Sequence, residues 1–441
     1  MIKYEQKELI RLKENAISTL QELVTPKGIY ASSNKGKMGR FHALFGRDTM
    51  ITAAFIQEAE KNYTHKLFTS NSVASVLRMA RWQGTHVNTD LGEKIGKMPH
   101  EIWEDSAACH HLVEGRIEVG HKPFFVDFTK ESYVNWFSND STPLWIICVL
   151  QMDNESLLTI DEILHQKIKN ALIWCLENII EFNGFAGYTY NAATAYYEPT
   201  IQSWKDSDGA FRDIKGNIPA PPVKDAGVNA IMWAALQRGG HYFISKDIGF
   251  SKKLFLSAAE LKKRYNSPEG FLMKDELSQY YFSDALDKNN VQLKGIASDP
   301  ALALWAQVNG ECIIDNKYIP FVVKRVLEPD FLDQEAGIRV YSKNNAVFDN
   351  KDYHRGPNTF WPFISGLIGW GLIKFGYINE SKRVLQAMVC GVSKFDTCVE
   401  LFLKKNGKYV LYQSPVTHNT SSLDQSWTAA AIYYALSLAL K

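Results

Sequence analysis

The sequence predicts an all-α fold in one continuous domain, residues 1–441. Three observations carry that prediction. Apolar residues recur at helical spacing in twelve separate segments. Strand-like alternation is confined to two short stretches and no βαβ rhythm develops. No linker rich in Pro, Gly and Ser divides the chain, and helices this apolar need neighbours to cover them.

In chain order the helical segments are 6–24, 48–60, 67–83, 132–151, 160–182, 224–240, 249–265, 299–309, 315–328, 360–376, 379–391 and 424–440. The first lies in a stretch carrying Lys3, Glu5, Lys7, Glu8, Arg11, Lys13 and Glu14, which reads as an amphipathic helix and not as an apolar leader. Short strands or β hairpins are expected in the loops at Gly337 to Tyr341 and Lys408 to Gln413. Segments 84–130, 183–223 and 266–298 are long for connectors, and long loops on a helical scaffold are where function tends to sit. No internal repeat is visible, which disfavours a solenoid. A closed ring of helical hairpins and an irregular bundle both fit the helix pattern.

Composition narrows the function. With 49 basic against 48 acidic side chains, charge-driven nucleic-acid binding is a poor reading. No run of about 18 apolar residues suggests a membrane span. The six Cys, at 109, 148, 175, 312, 390 and 398, form no Cys-x-x-Cys pair and read as reduced core thiols, so a cytoplasmic location is expected. A neutral surface with 11 Trp, 20 Tyr and 24 Phe suits a small carbohydrate, met by stacking and hydrogen bonding, although most of these rings belong to the core. Tyr280-Tyr281-Phe282 is read as core. Cys109-His110-His111 lacks a second ligand cluster, so no metal is expected. Gly36-Lys37-Met38-Gly39 lacks phosphate-loop spacing, and no cofactor is expected.

Three segments carry chemistry. In Phe45-Gly46-Arg47-Asp48-Thr49, a cation and a carboxylate precede an apolar helix; Asp48 is placed to cap it, or with Arg47 to grip vicinal sugar hydroxyls. In Trp204-Lys205-Asp206-Ser207-Asp208-Gly209, two carboxylates stand beside a Trp whose wall would raise an acid's pKa; a simple turn is the alternative. In Cys398-Val399-Glu400-Leu401-Phe402, a lone acid sits in an apolar run. Glycoside cleavage needs two such carboxylates from distant segments, one donating a proton and one activating water.

These residues, with Gly96-Lys97-Met98-Pro99-His100-Glu101, Asp140-Ser141-Thr142-Pro143-Leu144, Gly337-Ile338-Arg339, Tyr353-His354-Arg355-Gly356, Trp361-Pro362 and Val399-Glu400-Leu401, follow one order. That order resembles the amylo-α-1,6-glucosidase domain of glycogen debranching enzymes and the related glucoamylase and processing-glucosidase families, from about residue 27 onward. The resemblance implies a six-hairpin (α/α)6 barrel and inverting hydrolysis of α-glycosidic bonds. It implies Asp206 as proton donor, Glu400 as base, and Arg47 with Asp48 as the grip on the terminal sugar. Phe45, Glu101, Asp140, Trp204, Lys205 and Trp361 are implied as substrate-binding residues. Asp208 is a rival for the acid, because the turn after Asp206 departs from the family's spacing. Asn358-Thr359-Phe360 also departs from the family's Gly-Ser-Val, and its N-terminal β-sandwich is missing.

Two other classes compete with a hydrolase releasing a terminal sugar from small α-glucosides. A sugar epimerase on a similar ring would use paired His, for which His100, His110, His111, His354 and His418 are available. An inactive sugar-binding toroid would need neither acid.

Overall fold

The protein is seen here as a computed structural model that describes residues 6–33, 41–104, 132–189, 201–207, 209–213, 215–345, 353–354, 356, 358–415, 418 and 420–439. It is mostly helical. The described α-helices are α1 (Gln6–Leu23), α2 (Gly46–Glu60), α3 (Thr69–Arg81), α4 (Ser141–Asn154), α5 (Glu162–Glu181), α6 (Ala226–Phe243), α7 (Ile248–Tyr265), α8 (Ile319–Val326), α9 (Pro362–Lys374), α10 (Ile378–Val392) and α11 (Ser426–Ala439). A short 3-10 helix, Asp299–Leu304, lies between α7 and α8.

Two kinds of helix alternate along the chain, and their side chains explain why. In α9 every residue from Pro362 to Leu372 is buried, and α2, α4, α6, α11 and the 3-10 helix are likewise enclosed over most of their circumference. The others bury one face: α1 buries Leu12, Ala16, Thr19, Leu20 and Leu23, and α8 buries Ile319, Val322, Val323 and Val326. A helix apolar all round belongs inside, and a one-faced helix belongs over it. The packing follows: α2 lies on α4, α4 on α6, α6 on the 3-10 helix, that helix on α9, α9 on α11, and α11 back on α2. Around this cycle α1 covers α11, α3 covers α2, α5 covers α4, α7 covers α6, α8 covers the 3-10 helix and α10 covers α9.

Glycine permits close approaches between helices. A Cβ on Gly46 would stand 2.3 Å from the Pro99 carbonyl oxygen and 2.5 Å from Ser141 Oγ, where α2 and α4 begin side by side. One on Gly371 would stand 2.5 Å from the Leu304 carbonyl carbon, where α9 crosses the 3-10 helix.

The structure departs from the periodicity in two places. Segment 132–151 is a strand, Tyr133–Asn135, followed by α4 from Ser141, because β-favouring Tyr133 and Val134 lie before the Asp140-Ser141-Thr142-Pro143 helix start. Segment 299–309 stops as a helix at Leu304; further on, Asn309 and Gly310 turn the chain with positive φ values of 52° and 83°. Small antiparallel pairings stitch the loops. Leu44–Phe45, Glu101–Trp103 and Tyr133–Asn135 form one sheet, Leu272–Lys274 pairs with Tyr280–Phe282, and Thr359–Phe360, Phe402–Lys405 and Lys408–Leu411 form another. Of the aromatic trio read as core, Tyr281 and Phe282 are buried and Tyr280 is exposed. The Cys109-His110-His111 and Gly36-to-Gly39 segments lie outside the described residues. No described helix is long and apolar enough to cross a membrane.

Gly371→Ala should overpack the junction of α9 with the 3-10 helix and destabilise the protein by about 1–3 kcal/mol. Gly249→Ala, on the exposed start of α7 where an added Cβ comes no closer than 3.6 Å to Asp247 Oδ1, should be neutral or slightly stabilising. Urea unfolding of both variants checks the contrast.

Candidate active site

Carboxylates gather where the enclosed helices begin. Asp48 lies in the first turn of α2, Asp140 precedes α4, Asp225 precedes α6 and Asp299 opens the 3-10 helix. An N-terminus carries a partial positive charge and unsatisfied N–H groups, so acids are stabilised there. Asp225 uses both effects, accepting from the Val228 N–H at 3.0 Å.

Arg47 links Asp140 to the Asp206 loop. Its Nε donates to Asp140 Oδ2 at 2.6 Å and its Nη1 to Asp206 Oδ2 at 3.4 Å. Burial disfavours its charge, but Asp140 and then Asp206 outweigh that, so the guanidinium is held charged. Asp48 accepts from Gln425 Nε2 at 2.8 Å, just before α11. Burial, opposed by Arg47 and reinforced by Glu400 and Asp206, pushes the Asp48 carboxyl up to about 8. Asp48 therefore feels both carboxylates named as catalytic, and its protonated form is favoured.

Glu400 is buried and accepts from the Tyr353 hydroxyl at 3.0 Å and from the Ser422 N–H at 2.8 Å. Asp206 is more open, with 38% of its side chain exposed. Its neighbours are anchored one by one: Ser203 Oγ donates to Asp225 at 2.9 Å, Trp204 Nε1 to Asp299 at 2.5 Å, and Lys205 Nζ to Asp284 at 2.6 Å. On the far side, Ser207 N–H donates to His354 Nδ1 at 3.3 Å, and His354 stacks on Trp361 with ring centroids 4.8 Å apart.

Lys205 does not line a pocket. Its side chain is 0% exposed and lies among Asp284, Asp299 at 3.0 Å and the Tyr341 hydroxyl at 3.2 Å. The resemblance implies a substrate contact, whereas burial makes it an anchor for the segment bearing Asp206. Burial pushes Asp225 and Asp284 well above the usual carboxylate range, Asp299 adds to the shift, and Lys205 opposes it. Phe45 and Glu101 face each other in the first loop sheet, and Glu101 accepts from Trp103 Nε1 at 3.0 Å and from Asn135 Nδ2. Trp204 and Trp361 pack edge to face at 5.6 Å. Asp208 lies outside the described residues.

Sequence reasoning misses Asp225, Asp284, Asp299, Ser422 and Gln425. Asp225 and Asp299 have a signal, each being an acid directly at the start of an apolar segment. Ser422 and Gln425 have none, since their partners lie far away along the chain. Among the described residues, no group of three or more His, Cys, Asp or Glu is arranged to hold a metal ion.

No protein-family model matches the sequence, and no curated protein matches it either. In structure, the chain is similar to a GH63 mannosylglycerate hydrolase from Thermus thermophilus, at TM-score 0.61 and 11% identity, covering 96% of this chain and 99% of that one. It is also similar to a glycosidase variant in complex with glucose, at TM-score 0.54 and 14% identity, covering 99% and 100%. An uncharacterized conserved protein, also from Thermus thermophilus, matches at TM-score 0.58 and 12% identity, covering 96% and 99%. The chain thus has the helical fold found in these glycosidases.

Two outcomes are expected. Lys205→Met leaves buried carboxylates without their cation and should cost about 3–5 kcal/mol at pH 8, with a smaller loss at pH 5, where the acids take up protons; urea unfolding at both values measures it. Asp48, raised from an ordinary 3.8 to about 8, contributes proton-linked stability that is present below pH 4 and lost as pH rises through 8. Asp48→Asn should therefore gain stability relative to the wild type steadily between pH 4 and 8, and equal offsets at pH 5 and 8 would contradict that carboxyl shift.

Proposed function

We propose that the protein is an inverting, exo-acting glycoside hydrolase releasing a terminal sugar, glucose foremost, from small α-glucosides or α-glucan ends. The reading rests on one observation: Arg47 holds Asp140 and reaches Asp206 at 3.4 Å, while the segment 422–425 donates both to Glu400, from the Ser422 N–H, and to Asp48, from Gln425 Nε2. The helical packing cycle supports a six-hairpin (α/α)6 barrel forming one catalytic domain over residues 1–441. The glycosidase neighbours, one of them in complex with glucose, support a carbohydrate substrate. Among the described residues five cysteines are free and buried, which fits a cytoplasmic setting.

In this mechanism Asp206 gives its proton to the glycosidic oxygen as the bond to the anomeric carbon breaks. Glu400 takes a proton from a water that attacks that carbon from the opposite face. The leaving alcohol carries the first proton, Glu400 holds the second, and the sugar is released with inverted configuration. Tyr353 and Ser422 hold Glu400 in place for this task, and the partly open Asp206 meets the leaving group. Arg47, Asp48 and Asp140 hold the sugar's hydroxyls in a desolvated site, where each unmade hydrogen bond costs about 1–3 kcal/mol.

Asp206→Asn should lower kcat about 100- to 10,000-fold on short α-glucosides with unchanged folding; near wild-type activity there, with loss in Asp208→Asn, moves the acid to Asp208. Proton NMR of the first-formed sugar should show the β-anomer from an α-linked substrate. A panel including α-mannosides settles the sugar, and cleavage inside a glycan blocked at its non-reducing end would rule out an exo-acting pocket.

A further inference from the structure

Two consecutive residues, Tyr353 and His354, reach both of the segments that carry the carboxylates of this mechanism. The Tyr353 hydroxyl donates to Glu400 Oε1 at 3.0 Å. His354 Nδ1 accepts at 3.3 Å from the N–H of Ser207, the residue after Asp206, and stands 2.9 Å from Ser207 Oγ. The path between the two segments is therefore one phenol, one peptide bond and one imidazole. Consecutive Cα atoms keep a spacing of about 3.8 Å, so the two contacts have little freedom to move apart.

The dipeptide is itself clamped. His354 is wholly buried and lies flat on Trp361, with ring centroids 4.8 Å apart, while Trp204 meets it edge to face at 5.4 Å. Tyr353 packs against Trp361 at 5.3 Å and Tyr412 at 4.9 Å, and its carbonyl oxygen accepts from Trp361 Nε1 at 3.2 Å. The same contacts fix the tautomer of His354. A backbone N–H can only donate, so the Nδ1 that faces Ser207 carries no proton and the imidazole is neutral, protonated at Nε2. A buried ring of this kind touches no substrate; it acts through the loop that it holds.

We propose that Tyr353 and His354 form a spacer that sets the separation of the two catalytic carboxyls, with His354 positioning the loop of Asp206 and Tyr353 positioning Glu400. The inference rests on the roles proposed above for Asp206 and Glu400. Inverting hydrolysis needs the two carboxyls about 6.5–9.5 Å apart, with room for the attacking water. A misplacement of about 1 Å can cost about 100-fold in rate, so loosening the spacer lowers turnover while the chain stays folded.

The test compares kcat on maltose with kcat on α-D-glucosyl fluoride. Both need a water activated by Glu400, but fluoride leaves with far less help from a proton donor than a sugar alcohol does. His354→Phe keeps a stacked ring and removes the acceptor, so kcat should fall about tenfold more on maltose than on the fluoride. His354→Asn, whose Oδ1 takes the place of Nδ1, should return to within about threefold of the wild type. Tyr353→Phe should lower kcat on both substrates alike, and it tests the spacer from the Glu400 side should His354→Phe not fold. Asp206→Asn, measured alongside, should lose maltose and largely spare the fluoride. Equal losses on both substrates in His354→Phe, no recovery in His354→Asn, or an unchanged Tyr353→Phe would overturn the spacer while Asp206→Asn still told the two substrates apart. A wild type that hydrolyses neither, or an Asp206→Asn enzyme that treats them alike, would instead overturn the catalytic roles themselves, and the spacer with them.

Discussion

A helix that is apolar around its whole circumference has no stable place at a surface, and this protein contains several of them. α4, α6, α9 and α11 must each be covered on every side, and the chain solves this by packing them in a cycle and laying a one-faced helix over each. That burial is the dominant favourable contribution, at about 25 cal/mol per Å² of apolar surface removed from water. It also dictates the chemistry. With outer and inner helices alternating, the helix starts that bear Asp48, Asp140, Asp225 and Asp299 converge, and the helix ends gather away from them.

The two ends are electrostatic opposites. Where the helices start, acids outnumber cations, and Arg47 and Lys205 each hold more than one carboxylate. Burial there pushes Asp48 towards its neutral form, and Tyr353 and Ser422 donate to Glu400. Where the helices finish, Lys61 and Lys374 answer the carbonyl ends.

The loop bearing Asp206 shows how an irregular segment is made rigid. Ser203, Trp204 and Lys205 each reach a carboxylate on a different element, and Ser207 reaches His354 from the other side. Buried charge of this kind is a poor source of stability, because desolvation offsets most of the attraction. Its return is position: removing one partner leaves another uncompensated, so Asp206 has few alternative placements.

Helical character and the order of the helices were legible in the sequence, because apolar spacing reports which face of a segment must be buried. α1, α5, α7 and α10 fall within a few residues of their expected limits. Arg47, Asp48, Asp206 and Glu400 stand out in the sequence by residue type and motif order, and the structure brings Arg47 to Asp206. The periodicity failed at 132–151 and 299–309, where a helix start and a turn interrupt apolar runs that look continuous. Lys205 shows the deeper limit: the family resemblance implies a substrate contact, and only the arrival of Asp284 and Asp299, about eighty and ninety residues away, makes it a buried anchor. The same holds for Gln425 on Asp48. Local sequence determines which face of a segment is apolar and where a charge lies along it; which charges meet depends on long-range packing, and tertiary structure alone decides that.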